Sequence, residues 1–349
     1  MIRALLPLVA LLATPAIARA AEAPIPIRMV VVTAFEIGAD TGDKAGEFQA
    51  WATAMPATLP FPAGERDLHY DAKRGILVIS LGMGTNRAAT STMTLGLDPR
   101  FDLRRAYWLV AAIAGVNPNE ASVGSAAWIG DLIDTDFGFE IDSREIPADW
   151  ATGRVPWERS KPYAMPVPAD RSSNLFPLDK GLRDWAFTLT AKTAIADNAT
   201  LKTIRARYTT YPKAMTPPVV LTGDEATGQT FWHGKLLNSY AEDWTKYWTG
   251  GTGRFVMTGM EDTGVARALG VLGKLGRADP KRLMVLRTGA NYTLPAPGQT
   301  AAESLHNENS ELSALQSSLD AAYLVGGKVV DEITGNWPRY ADTIPGSQK

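Results

Sequence analysis

The chain has 349 residues, and its 35 lysines and arginines nearly balance its 37 aspartates and glutamates. A net charge of −2 without a basic cluster argues against nucleic acid or anionic lipid as the main partner. The absence of cysteine excludes disulfides, thiol catalysis and thiolate metal ligands, and three widely spaced histidines indicate no metal site.

The first twenty residues have the layout of a secretory signal peptide. An apolar run at residues 4–16 follows the positive Arg3, and Ala18 begins a small-x-small cleavage site. This run is shorter than the ~20 apolar residues that a membrane-spanning helix requires; an uncleaved anchor is the alternative. We therefore expect residues 1–20 to be a signal peptide and the mature protein to be periplasmic or secreted, with no membrane span after cleavage.

The rest of the chain alternates between apolar strand-like runs and helical stretches. The predicted strands are residues 27–34, 75–81, 106–114, 218–222, 254–258 and 282–287. The predicted helices are residues 86–97, 178–192, 261–275 and about 302–324. Because nearly continuous apolar strands are typical of sheets covered on both faces, we expect a single three-layer α/β/α domain at residues 21–349, with a mostly parallel mixed central sheet.

Two segments do not follow this alternation. Residues 138–176 and 227–253 are rich in aromatic residues and show no clean period, so we interpret them as long irregular insertions. Their aromatic content argues against disorder. A lid over a site and a subunit interface both remain open as interpretations.

A glycine-containing loop stands between the second predicted strand and the first predicted helix. Gly82 and Gly84 let a backbone approach an anion, and the helix start at Thr85 offers free N–H groups. Arg87 could add a positive charge. The alternative is a simple glycine turn capped by Asn86.

A methionine and a carboxylate open a later predicted helix. Glu261 follows the predicted strand 254–258, and a carboxylate accepts hydrogen bonds from two adjacent ribose hydroxyls well. Met260 would provide an apolar floor. Acidic residues that merely stabilise the helix N-terminus are the alternative.

Two further strand ends have candidate contacts for a purine base. Asn291 falls beyond the last predicted strand, where ligands of α/β sheets bind, and its amide can read a purine edge. Asp224 follows another strand, ahead of Phe231 and His233, which could stack on or contact a base. A turn asparagine and an aromatic core cluster are the alternatives.

Seven short motifs together resemble the purine nucleoside permease family, over nearly the whole mature chain. They are AGVNP at 114–118, SVGSAAW at 122–128, EIDSREIP at 140–147, LTGDE at 221–225, FWHGK at 231–235, MEDTG at 260–264 and RTGANY at 287–292. Members of this family look like nucleoside phosphorylases and nucleosidases. The resemblance implies a nucleoside phosphorylase-like fold and a purine nucleoside as substrate, with inorganic phosphate as a candidate co-substrate and no other cofactor.

The same resemblance implies roles for particular residues. The glycine loop would bind phosphate or position water, Met260 and Glu261 would hold the ribose, and Asn291 would address the purine. In those enzymes an aspartate-containing stretch precedes an aromatic residue that stacks on the base, and Asp224 followed by Phe231 resembles this arrangement. Glu36 is the nearest equivalent of an acidic catalytic residue that follows the first strand in the nucleosidases. The family also suggests a homo-oligomer.

Some positions depart from the enzyme pattern. Leu81 stands where a serine or threonine usually touches phosphate or ribose, and no arginine can be assigned to clamp phosphate. Asn291 cannot donate a catalytic proton as an aspartic acid could. Two functions therefore remain open: cleavage of the N-glycosidic bond by phosphate or water, and non-catalytic capture of nucleosides for a separate inner-membrane transporter.

Overall fold

The computed structural model describes residues 23–307 and 313–346, so the predicted signal peptide at 1–20 lies outside the described residues. The strands are β1 (Ile25–Pro26), β2 (Met29–Thr33), β3 (Ala57–Leu59), β4 (Leu68–Asp71), β5 (Ile76–Ser80), β6 (Phe101–Asp102), β7 (Tyr107–Val116), β8 (Ala126–Asp134), β9 (Phe139–Glu140), β10 (Arg154–Val155), β11 (Leu175–Pro177), β12 (Val220–Thr227), β13 (Phe255–Gly259) and β14 (Leu283–Tyr292). The helices are α1 (Gln49–Ala54), α2 (Thr85–Leu97), α3 (Lys180–Thr190), α4 (Ala199–Arg205), α5 (Lys235–Trp248), α6 (Asp262–Lys274), α7 (Ala301–Asn307), α8 (Leu315–Gly335) and α9 (Trp337–Tyr340), with a 3₁₀ turn at Pro280–Arg282.

One mixed sheet of ten strands organises the molecule. Its order is β11-β8-β12-β13-β7-β2-β5-β4-β3, and β14 pairs with both β7 and β8. Strands β5, β2, β7 and β14 are mutually parallel, as are β8, β12 and β13. Antiparallel pairs β13–β7 and β14–β8 join the two groups, so this part of the sheet closes on itself. The predicted α/β fold with a mixed sheet is confirmed.

Helices cover both faces of the sheet, and its central strands are therefore buried on both sides. In β2, Val30 and Val32 belong to one apolar cluster and Met29 and Val31 to the other, as the alternation of strand side chains requires. The first cluster contains buried residues of α2 and α6. The second contains buried residues of α1, α3 and α8.

Each predicted strand lies on an observed one, but several ends differ. Strand β14 extends to Tyr292 and therefore includes Asn291, and β12 extends past Asp224 to Thr227. Strand β8 was not predicted, because Gly130 and Asp131 interrupt its apolar run (AAWIGDLID). The chain pairs β8 with β12, β14 and β11, so β8 is central to the sheet despite that mixed composition.

The prediction of one long helix at residues 302–324 is wrong. Helix α7 ends at Asn307, and α8 begins only at Leu315. The Ser313 hydroxyl accepts a hydrogen bond from the Leu315 N–H at 3.1 Å, a local contact that competes with helical hydrogen bonding. Residues 308–312 of the predicted helix lie outside the described part of the chain.

The prediction of an irregular segment at residues 227–253 is wrong for its middle part, which forms α5. Tyr240, Trp244 and Trp248 recur at the spacing of one helix face and pack with Ile133 of β8. The aromatic residues of this segment therefore pack α5 against the sheet. Residues 138–176, in contrast, hold only the short strands β9, β10 and β11 as regular elements.

Candidate functional site

A cavity of about 410 Å³ opens among the carboxyl ends of several strands. Phe35 follows β2, Gly115 lies near the end of β7, Gly259 ends β13, and Asn291 lies near the end of β14. Ligands of α/β sheets bind at such strand ends, and the volume falls within the ~300–1,000 Å³ range of small-molecule pockets. The cavity is therefore the candidate functional site.

Arg287, which lines this cavity, is paired with three buried carboxyl groups, of which Glu261 also lines the cavity and Glu225 and Asp262 do not. Arg287 of β14 is 2% exposed; its Nη2 lies 2.8 Å from Glu261 and also hydrogen-bonds Asp262. Its Nε lies 3.5 Å from Glu225, and its Nη1 donates to the Ile113 carbonyl at 2.8 Å. We call Arg287, Glu225, Glu261 and Asp262 the arginine–carboxylate cluster. It joins β12, β14, β7 and the start of α6 at one point.

Burial and neighbouring charges shift the pKa values of two members of the cluster, Glu225 and Arg287. Burial, and after it the charge of Asp262, raises the pKa of Glu225 well above its usual range. Burial opposes the charge of Arg287, but Asp262 and Glu225 together raise its pKa above the ordinary value. Arg287 therefore remains a cation, and the proton affinity of the Glu225 carboxyl group is raised.

Glu47 is a fourth buried acid and lines the cavity directly. Its two carboxyl oxygens accept hydrogen bonds from the backbone N–H groups of Ala34, at 2.6 Å, and Ile113, at 2.8 Å. Burial, followed by the charge of Glu261, raises the pKa of Glu47 to about 8, although Arg287 and the two amides act in the opposite direction. Glu47 can therefore take up or release a proton near neutral pH.

Glu261 and Met260 line the cavity, as the sequence predicted for the sugar site. Glu261 Oε1 accepts from the Gly84 N–H at 3.1 Å, and its Oε2 accepts from Arg287. The Thr85 hydroxyl donates to the Met260 carbonyl at 3.1 Å. The glycine loop and the start of α6 are thus held together, and the Glu261 carboxylate is fixed in position.

Asn291 and Phe231 also line the cavity. Asn291 lies beside a register shift between β14 and β7, and its Nδ2 donates to the Tyr292 carbonyl at 3.1 Å. Phe231 is 49% exposed and forms part of an apolar rim with Met83, which is 55% exposed. The structure therefore brings the three predicted regions near residues 84, 261 and 291 to one cavity.

Three other predicted site residues are engaged elsewhere. Glu36 accepts hydrogen bonds from the backbone N–H groups of Ile37, Gly46 and Gln49, so its carboxylate supports the chain before α1. Asp224 accepts from the backbone amides of residues 131 and 254 at a bulge in β12. His233 is buried beside α5, and burial lowers the pKa of its imidazole. None of the three is among the described residues around the cavity.

The glycine loop was predicted to contact phosphate or water, but its described polar contacts are with other residues of the protein. Gly82 and Gly84 have positive φ angles of 84° and 95°, which favour glycine, and they turn the chain so that Met83 faces the cavity. The Gly84 amide and the Thr85 hydroxyl contact residues of the protein. Arg87 is 62% exposed and faces Glu65 at 3.6 Å, outside the cavity, because it lies on the outer side of α2.

Glu47 and Arg287 line the cavity but were not predicted from the sequence as site residues. Arg287 stands in the motif RTGANY, at the last residue of the predicted strand 282–287, and this motif was the available signal. Glu47 belongs to no motif. The described residues contain no cluster of three or more acidic or histidine side chains that could hold a metal ion.

The fold is that of the nucleosidases. The 5'-methylthioadenosine/S-adenosylhomocysteine nucleosidase of Helicobacter pylori matches 88% of this chain and 98% of its own, with 15% identity and a TM-score of 0.53. The futalosine hydrolase of the same organism matches with the same coverage, identity and TM-score. At this level of identity the likeness concerns the fold alone.

The chain belongs to the purine nucleoside permease (NUP) family, whose model matches residues 26–345. A probable purine nucleoside permease of Schizosaccharomyces pombe is 28% identical over 277 residues, which is 77% of this chain and 79% of that protein. The purine nucleoside permease of Candida albicans is 25% identical over 312 residues, 88% of this chain and 75% of that protein. The predicted family is confirmed.

The raised pKa of Glu47 predicts a pH dependence of stability. Between the ordinary carboxyl value of 4.5 and about 8, the folded protein keeps the Glu47 proton that the unfolded chain releases. The Glu47 contribution to the free energy of unfolding should therefore fall as pH rises through this window, by ~1.4 kcal/mol per pKa unit and a few kcal/mol in total. Urea unfolding at several pH values should show a flatter profile for Glu47→Gln than for wild type and for the exposed control Glu145→Gln. Equal slopes would contradict the assignment.

The cluster predicts that removing its cation is costly. Arg287→Met leaves Glu225, Glu261 and Asp262 buried without a positive partner, so the free energy of unfolding should drop by ~3–5 kcal/mol at neutral pH. The loss should be smaller at acidic pH, where the carboxyls are protonated. Arg87→Met, which removes an exposed pair, should cost less than ~1 kcal/mol. Similar losses for the two variants in chemical denaturation would contradict this account.

Proposed function

We propose that the chain binds a purine nucleoside in this cavity and cleaves its N-glycosidic bond. One observation carries the proposal: the cavity is lined both by the fixed carboxyl groups of Glu47 and Glu261 and by the exposed apolar side chains of Phe231 and Met83. A ribose carries adjacent hydroxyl donors, and a purine offers a flat apolar face with polar edges. The polar and the apolar residues of the lining suit these two halves of a nucleoside.

Glu261 would orient the ribose. The Gly84 amide and Arg287 hold its carboxylate in one position, and each carboxylate oxygen can accept more than one hydrogen bond. A fixed acceptor does not have to reorganise when the hydroxyls arrive, which favours the transition state for cleavage. Met260 would contact the apolar face of the sugar.

Asn291 would address the base, with Phe231 as a stacking surface at the rim. The side-chain amide of Asn291 donates one hydrogen to the Tyr292 carbonyl, which fixes its orientation. Its oxygen and second N–H can then pair with a purine edge. An amide can stabilise negative charge on a departing base without transferring a proton to it.

Non-catalytic capture for uptake is the second candidate function, and the relatives named as permeases favour it. Among the residues that the structure describes, no helix is both long and apolar enough to cross a membrane. Under this alternative, the chain would deliver nucleosides to a separate inner-membrane transporter.

We propose further that the protein is exported. The pattern of residues 1–20 supports removal of a signal peptide and a periplasmic or secreted mature protein. Inorganic phosphate as a co-substrate and a homo-oligomeric assembly come from the family resemblance alone.

Incubation of the mature protein with inosine or adenosine should release the free base, measurable by chromatography. Glu261→Gln should lower the rate by roughly 10²–10³-fold, because a positioned electrostatic contact is lost. Glu145→Gln, at an exposed site, should act like wild type, and thermal melts should show all three proteins folded. Binding without release of base would support capture instead, and the absence of both would contradict the proposal.

Asn291→Ala should weaken the preference for purine over pyrimidine nucleosides. The loss of a hydrogen bond to the base should reduce kcat/KM for inosine about 3- to 10-fold, with a smaller effect on uridine. Asn86→Ala, an exposed asparagine at the start of α2, is the matched control. An unchanged ratio of inosine to uridine kcat/KM in Asn291→Ala would refute the role of Asn291 in base recognition.

A further inference from the structure

We infer that the hydroxyl group of Thr258 donates a hydrogen bond to the N7 atom of the bound purine, beside Asn291, and so helps the cavity to select purines. This inference rests on the proposed function and adds a residue of β13 to the site. It applies to cleavage and to capture alike, because both require recognition of the base.

Few neutral polar side chains line the cavity. Among the described residues of its wall they are Thr258, Asn291 and Ser313. Ser313, at the start of α8, already accepts a hydrogen bond from the Leu315 N–H. The part of β7 that reaches the cavity, residues 113–115, carries apolar side chains or none. Thr258 and Asn291 are therefore the neutral groups of the sheet that remain for an uncharged base.

Gly115 lies between these two groups. The position that a Cβ atom would occupy at Gly115 is 3.1 Å from Thr258 Oγ1 and 3.4 Å from Asn291 Nδ2. Strand β7 pairs with β13, which carries Thr258, and with β14, which carries Asn291. A larger residue at position 115 would press on both groups. The hydroxyl and the amide are thus close enough to contact neighbouring atoms on one edge of a base.

The Thr258 hydroxyl has a hydrogen to donate. Its oxygen accepts a hydrogen bond from the Gly115 N–H at 2.8 Å, and the structure shows no acceptor for its hydrogen among the residues that it describes. Thr258 is only partly buried, whereas the three preceding residues of β13 are buried. A purely structural role would explain the bond that the oxygen accepts, but not the free hydrogen. That hydrogen remains for a ligand in the cavity.

A donor at this point suits the N7 atom of a purine better than its other ring nitrogens. N7 is an acceptor in both inosine and adenosine, whereas N1 carries a hydrogen in inosine and none in adenosine. N3 lies on the edge beside the ribose, away from the 6-substituent. N7 adjoins the 6-substituent, so Thr258 could bind N7 while the Asn291 amide, which can donate or accept, binds its neighbour. A pyrimidine has no atom equivalent to N7.

The same contact would favour departure of the base. When the bond from C1′ to N9 breaks, its electron pair stays with the base and is shared between N9 and N7 of the imidazole ring. Negative charge therefore grows on N7. A donor that is already in position stabilises this charge without reorganisation, and Thr258 keeps its hydrogen throughout.

The test combines Thr258→Val, which keeps the shape of the side chain but lacks the hydroxyl, with inosine and with 7-deazainosine, in which C–H replaces N7. Thr258→Val should lower kcat/KM for inosine about 3- to 10-fold, because one neutral hydrogen bond is lost. It should change the inhibition constant of 7-deazainosine against inosine by less than about twofold, because this ligand offers no acceptor there. If wild type binds inosine without cleaving it, dissociation constants from calorimetry should show the same two changes.

Thr258→Ser, which keeps the hydroxyl, and the exposed control Thr203→Val should match wild type with both ligands. Thr258→Ala replaces Thr258→Val if thermal melts show that the latter does not fold. Equal weakening of both ligands would mean that the hydroxyl only supports the Gly115 amide. That result, or unchanged values for inosine in a folded variant, would overturn this inference and leave the proposed function standing. Wild-type protein that neither binds nor cleaves inosine would overturn both.

Discussion

The burial of one guanidinium among carboxylates is the interaction on which the site depends. Arg287 lies in the middle of β14, and its partners come from β12 and from the start of α6. Desolvating these charges is expensive, and it is offset only when each group has a partner in good geometry. The positions of β12, β14 and α6 are therefore coupled to one another through this cluster. The cluster also holds in place the residues of β14 and α6 that line the cavity.

The same cluster explains why the glycine loop and Glu261 act together. Arg287 holds one oxygen of Glu261, and the Gly84 amide binds the other. The positive φ angles of Gly82 and Gly84 allow the loop to reach that oxygen. The sequence of this loop resembles a phosphate-binding loop, but in the folded protein its Gly84 amide binds the Glu261 carboxylate. The fixed acceptor is a consequence of the fold as a whole.

Local sequence patterns predicted most strands of the central sheet and part of the site, but they missed β8 and α5. Strand runs and the Met260–Glu261 and Asn291 strand ends could be predicted, because the carboxyl ends of neighbouring strands meet at one edge of a sheet. Glu47 and the pairing of Arg287 could not, because they depend on side chains that are distant in sequence. Glu36 illustrates the limit: it follows β2 as an early acid should, but its carboxylate turns to the amides before α1, and Glu47 from that same loop reaches the cavity.

A carboxylate in the wall of the cavity, such as that of Glu261, affects the binding of a nucleoside and its cleavage differently. When an N-glycosidic bond breaks, positive charge develops on the ribose ring as it approaches an oxocarbenium ion, as in glycoside hydrolysis. A carboxylate such as that of Glu261, which lines the cavity, would stabilise that charge more than it stabilises a neutral nucleoside. Only an interaction that is stronger in the transition state than in the ground state accelerates the reaction. A carboxylate in the wall of the cavity therefore gains a protein little for capture alone, but it lowers the barrier to cleavage.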